Sequence, residues 1–176
     1  MTENKLLTVI TWQEIKAAIV KKADEYTKIY DGVQLTIVAE LESTFMFVSD
    51  FIRELPLDVQ IRFVSYPKDK EKNFDIELGK YEALKGRHVL IINDMLYKGK
   101  GLKMIYDKIK LEEPQDIRVL TLLEKPSAKR LTTFPVESLF QVHNDHVLGY
   151  GLTYNGSYRG LKSIYKVVEE KSGNVK

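Results

Sequence analysis

Apolar and polar positions along this chain follow two rhythms, one helical and one of short unbroken apolar runs. In "TWQEIKAAIVKKADEYTKIY", Trp12, Ile15, Ile19, Ala23, Tyr26 and Tyr30 recur at helical intervals and define one apolar face. Thr11 and Glu14 stand at the spacing of a capping box, which marks where that helix starts. After Asp31-Gly32, "LTIVA" predicts a short buried strand. "STFMFVSDFIREL" predicts a second helix, with Ser43 or Thr44 as N-cap and Pro56 closing it. "VQIRFVSY" alternates in the manner of a strand.

Residues 67–87 change character. They are charged and weakly patterned, and read as an excursion from the core holding at most a short strand. The core resumes at "HVLIIND", where Asn93 and Asp94 end the apolar run. The chain then turns through "MLYKGKG" and enters a helix, "LKMIYDKIKLE", which Pro114 stops. "DIRVLTLLE" predicts another buried strand, and "SLFQVHN", "VLGYG" and "SIYKVVEE" predict short strands separated by turns. Helices and apolar strands alternate through the middle of the chain. That pattern predicts an α/β fold whose parallel sheet is covered by helices on both faces. At 176 residues the chain has the length of one domain, spanning 1–176, with no repeat or linker dividing it.

Composition narrows the function classes. Lys and Arg number 27 against 25 Asp and Glu, so the net charge of +2 gives nucleic acid little support as a partner. The absence of cysteine excludes disulfides, a thiol nucleophile and a thiolate zinc site. No apolar run approaches the roughly 20 residues of a membrane span, and no signal-peptide pattern opens the chain, so a cytoplasmic protein without membrane contact is expected. His88 and His143 have no further ligands at metal-site spacing and read as structural, leaving no metal site in the protein itself. "NGS" at Asn155 matches a glycosylation triplet, but in a cytoplasmic chain it reads as an Asn-Gly turn.

Ligands of parallel sheets sit at the carboxyl ends of the strands, which directs attention to "VLIINDMLYKGKG", Val89 to Gly101. A glycine-containing turn feeding a helix N-terminus presents backbone N–H groups and a favourable dipole to an anion. Gly99 and Gly101 allow close backbone approach, Lys98 and Lys100 add charge, and Asn93 and Asp94 are placed for hydroxyls or a cation. The competing reading is an ordinary crossover loop with solvated lysines.

"VLIINDMLYKGKGL" resembles the phosphoribosyl pyrophosphate (PRPP) signature of type I phosphoribosyltransferases. "VAELESTFMFVSDFIREL", "VLTLLEKPSAKR" and "VHNDHVLGYGLTYNGSYRGLKSIYKV" resemble, in order and spacing, segments of the hypoxanthine-guanine phosphoribosyltransferase family. The likeness runs from about residue 35 to residue 168. It implies the family's fold, with a small hood of N- and C-terminal elements, and a dimer or tetramer. Its expected ligands are PRPP and a purine base or nucleotide, with Mg2+ as cofactor of an active enzyme. By the same likeness Lys125 contacts the purine oxygen, Val147 offers a backbone contact to the base, His146 stacks on it, and Arg159 serves pyrophosphate. The run at 68–72, "KDKEK", is a solvated loop or, by the likeness, part of a lid.

The chain departs from the family pattern at several of these positions. Asn93 stands for the first acid of the loop, while Asp94 keeps the second. Tyr97 occupies the place of the general-base aspartate, Lys98 and Gly101 replace threonines, Glu42 replaces a lysine, and Thr153 replaces an aspartate. A phenol is a neutral donor at pH 7 rather than a ready base, and loss of a general base costs about 10²–10⁴ in rate. Two functions follow: a 6-oxopurine phosphoribosyltransferase of purine salvage, or a non-catalytic purine-nucleotide sensor on the same fold.

Overall fold

The computed structural model describes residues 5–65, 83–126, 129–143 and 146–168. The charged stretch at 67–82, with the lid expected at 68–72, lies outside them. Strand β1 (Lys5–Ile10) leads to α1 (Trp12–Ile29), β2 (Leu35–Glu40), α2 (Leu41–Glu54) and β3 (Val59–Val64). Then come β4 (His88–Leu96), α3 (Lys100–Lys110), β5 (Asp116–Glu124), β6 (Glu137–Gln141), β7 (Val147–Leu148) and β8 (Ile164–Val168).

Five strands form a wholly parallel sheet in the order β3-β2-β4-β5-β6, the fold class expected from the alternation of elements. A second, antiparallel sheet of order β1-β8-β7 joins the N- and C-terminal parts. The central strands are buried on both faces, and their side chains divide between two cores. Leu35, Ile37, Ala39, Leu90 and Ile92 point toward α1 and α2, where they meet Ile15, Ile19, Tyr26, Phe47 and Phe51. Val38, Val89, Ile91 and Val119 point the other way, onto Leu102, Ile105 and Ile109 of α3.

The capping box of α1 is present. Thr11 Oγ1 accepts from the Glu14 N–H at 3.3 Å, and Glu14 Oε2 accepts from the Thr11 N–H at 2.8 Å. His88 is structural, as expected: its Nδ1 lies 2.6 Å from Asp116 Oδ1 and its ring meets Tyr30 edge-on. The Asn155-Gly156 turn also forms. Both residues have positive φ, and Tyr154 and Ser157 exchange backbone hydrogen bonds across it.

Two boundaries differ from the expectation, and both bear on the loops at the end of the sheet. Helix α2 begins at Leu41, with Glu40 rather than Ser43 or Thr44 as its N-cap. The Glu40 carboxylate, at the last position of β2, accepts from the N–H groups of Glu42 and Ser43. Strand β4 does not stop at Asn93-Asp94. It continues to Leu96, whose side chain is fully buried against the α3 core and keeps pairing with β5 in register. Strand β1 carries no usable pattern, because only Ile10 of its six residues is buried.

Candidate functional site

The carboxyl ends of β2 and β4 are neighbours in the sheet, so the β2–α2 and β4–α3 turns lie side by side. Between them is a cavity of about 320 Å³. Asn93, Asp94, Lys98, Gly99, Lys100 and Gly101, all anticipated from sequence, line it together with Glu40, Ser43 and Tyr97.

Gly99 caps α3 in the left-handed region, at φ +74°, without any side-chain hydrogen bond to the helix. A Cβ there would lie 2.6 Å from Thr132 Cγ2 and 3.0 Å from Leu96 Cδ1, so both φ and packing call for glycine. The first backbone bond of α3 runs from the Lys103 N–H to the Gly99 carbonyl at 2.9 Å. The N–H groups of Lys100, Gly101 and Leu102 precede it and have no carbonyl partner within the helix. All three residues border the cavity. On the opposite side of the turn, the Lys98 carbonyl accepts from the Leu131 N–H at 2.9 Å, which anchors the loop to the segment after β5.

The floor is acidic. Asp94 Oδ1 accepts from the Met95 N–H at 2.7 Å, and Asn93 Oδ1 shares that donor at 3.2 Å. Burial raises the Asp94 carboxyl above the usual range and the Glu40 charge adds to the rise, while the nearby Ser43 hydroxyl and the Met95 N–H oppose it. Ser43 Oγ donates to Glu40 Oε2 at 2.7 Å and also contacts Asp94, linking the two turns. The cavity therefore joins N–H groups and lysines from the α3 N-terminus to carboxylates from the ends of β2 and β4.

Residues 8–155 match the family model described as "Phosphoribosyl transferase domain". The chain is 34% identical to the hypoxanthine phosphoribosyltransferase of Haemophilus influenzae, an alignment covering 97% of this chain and all of that one. It is 33% identical to the Escherichia coli hypoxanthine phosphoribosyltransferase over 88% of this chain and 91% of that protein. A hypoxanthine-guanine phosphoribosyltransferase structure from Bacillus anthracis, with a HEPES molecule in its active site, superposes with a TM-score of 0.83 at 26% identity, covering 95% of this chain and 99% of that one. The chain belongs to the hypoxanthine-guanine phosphoribosyltransferase family.

Lys125, His146, Val147 and Arg159, also anticipated from sequence, do not line this cavity. Lys125 follows β5, and its N–H donates to the Leu96 carbonyl at 2.8 Å, so it sits beside the end of β4. Val147 is buried in β7 and pairs with Lys166, while His146 immediately before it is exposed. Arg159 reaches the β2–α2 turn. Its Nη1 donates to the Gly151 carbonyl at 2.7 Å and the Glu42 carbonyl at 3.1 Å, and its Nη2 lies 3.6 Å from Glu42 Oε2. Tyr97 lines the rim with 44% of its surface exposed, and Lys98 Nζ lies 5.8 Å from its ring centroid. Thr153 is exposed in the loop after β7.

Two cavity residues, Glu40 and Ser43, escaped the sequence reading. The available signal was an acid at the end of an apolar strand directly before a helix, although glutamate is not among the favoured N-cap types. Among the described residues no three of His, Cys, Asp and Glu form a metal-holding group, and no helix is long and apolar enough to cross a membrane.

Proposed function

We propose that the protein transfers a phosphoribosyl group from PRPP to a 6-oxopurine, releasing pyrophosphate, as a cytoplasmic purine-salvage enzyme. The observation that carries this reading is the α3 end of the cavity. The N-terminal N–H groups of α3 at Gly101 and Leu102, the left-handed Gly99 and the neighbouring Lys98 and Lys100 suit a ribose 5′-phosphate by both charge and hydrogen bonding. Asp94 and Asn93 then fall to the ribose hydroxyls. Lys125, Val147 and His146 take the base, Lys125 at its exocyclic oxygen. That two bacterial relatives are hypoxanthine phosphoribosyltransferases supports hypoxanthine as the base.

Magnesium fits this site as a companion of the substrate. Mg2+ binds one or two carboxylates together with substrate phosphates, and Asp94 is the carboxylate free of a capping role on the cavity floor. The ion would supply charge neutralisation for the pyrophosphate. A homodimer or homotetramer belongs to the same reading, by family likeness.

The test is direct. Protein incubated with PRPP, Mg2+ and hypoxanthine or guanine is expected to form the nucleoside monophosphate, and Lys125→Ala to lower kcat/KM at least tenfold. Nucleotide binding without turnover would instead establish the second reading, a purine-nucleotide sensor. That reading draws on Tyr97, a half-exposed phenol where the family resemblance places a general-base carboxylate. If it holds, Tyr97→Asp is expected to restore turnover.

A further inference from the structure

Ribose carries its 5′-phosphate and its C1 substituents at opposite ends of the ring. A phosphate seated at α3 therefore turns C1 away from Lys98 and Lys100. On the β2 side, C1 faces the β2–α2 turn. Donors there that could hold a second anion are already engaged by the chain itself. The N–H groups of Glu42 and Ser43, at the α2 N-terminus, donate to the Glu40 carboxylate at 3.1 and 3.0 Å. The Ser43 hydroxyl donates to the same carboxylate at 2.7 Å. Arg159 Nη1 donates to the carbonyls of Glu42 and Gly151, and Nη2 faces Glu42 Oε2 at 3.6 Å. Two carboxylates thus sit where an incoming anion would need N–H groups and a guanidinium.

The two carboxylates are not equivalent. Glu40 is built into the α2 cap and fixed by three hydrogen bonds. Among the described residues Glu42 has Arg159 alone at ion-pair distance, and its side chain is 77% exposed, so it can swing into solvent. Displacing it costs an ion pair and leaves a like charge nearby. The arm that brings Arg159 is itself held close: a Cβ on Gly151, at φ +95°, would lie 2.4 Å from the Ser43 carbonyl.

We propose that Glu42 is a specificity-determining residue, an internal anion on Arg159 that competes with the C1 pyrophosphate of PRPP and favours ligands uncharged at C1. The inference rests on the phosphate-cradle reading above. It requires that Glu42 discriminate between two ligands that share the 5′-phosphate and differ only at C1.

Ribose 5-phosphate and PRPP are such a pair. Their dissociation constants would be measured calorimetrically, without Mg2+ so that the pyrophosphate keeps its full charge, on the parent chain, Glu42→Gln and Glu42→Ala. Both variants are expected to bind PRPP about tenfold more tightly, with ribose 5-phosphate affinity unchanged. The gain should shrink as salt is raised, because the effect is coulombic near the surface. An unchanged ratio of the two affinities in both variants would overturn the proposal. Equal tightening of both ligands would overturn it as well, by showing a general charge effect. If the parent chain bound neither ligand, the phosphate cradle itself would fall, and this inference with it. If it bound ribose 5-phosphate alone and the variants gained no PRPP binding, only the role of Glu42 would be lost.

Discussion

The Tyr150 hydroxyl donates to Asp50 Oδ2 at 2.7 Å, fastening the loop after β7 to the middle of α2. Tyr150 is nearly inaccessible, has φ +52° and packs its ring 5.9 Å from that of Trp12. Burial, then the Asp50 acceptor, raises its phenol far above the ordinary range, so the donor keeps its proton. Since the same arm presents Arg159 to the β2–α2 turn, this bond helps to position that guanidinium. Tyr150→Phe removes the donor and keeps the ring. A cost of about 1–2 kcal/mol is expected, the scale of a hydrogen bond to a partly exposed charged acceptor. Thermal melting should show the midpoint fall by roughly 2–8 °C.

Gly99→Ala tests the turn. The left-handed conformation costs a residue with a Cβ about 1–2 kcal/mol, and the added carbon must also push Thr132 and Leu96 aside. The expected outcome is a folded protein whose nucleoside monophosphate affinity falls at least tenfold by calorimetry, because the N–H groups of α3 lose their aim. Unchanged affinity would mean that the phosphate binds elsewhere.

Asp94→Asn separates stability from binding. Burial, and then the Glu40 charge, hold the folded-state carboxyl above the ordinary aspartate range. Between the unfolded and folded values the native state holds more protons than the unfolded one, so stability falls as pH rises through that window. Above it the charged carboxylate is a constant penalty. Asparagine keeps an oxygen for the Met95 N–H and removes the charge. Chemical denaturation at pH 7 should show a gain of about 1 kcal/mol, and the gain should vanish at acid pH below both values. Ribose 5-phosphate binding should weaken in the same variant.

Phe51→Ala probes the core beneath the site. Phe51 is fully buried and meets Tyr26 and Phe47 edge to face. A loss of about 3–5 kcal/mol is expected from transfer and cavity terms together, measured by denaturant melts. Because α2 carries Glu42 and Ser43 on its first turn, PRPP discrimination should change in this variant only if the helix shifts.

Much of the architecture could be read before any coordinates. The unbroken apolar run Val89–Ile92 needs cover on both faces, and it receives it, from α1 and α2 on one side and α3 on the other. The face of α1 was legible because its period is local: Ile15, Ile19, Ala23 and Tyr26 are all buried. The loop from Asn93 to Gly101 was legible because glycine, lysine and helix onset are neighbours in the chain, and they do line one cavity.

Contacts a few residues apart set the helix faces, the buried strands and the turn that offers N–H groups to an anion, and these are written into the local order of residues. Contacts between distant segments came with folding. Residues 42 and 159 are separated by most of the chain, and only the packing of the loop after β7 on α2 makes them an ion pair. Ser43 joins Glu40 to Asp94 only because β2 and β4 are neighbours in the sheet. Leu96 extends β4 past its polar pair because α3 folds back over it. Periodicity records which faces are buried, but not what buries them. The charge balance of the cavity is set by which distant side chains arrive there, and only the fold brings them together.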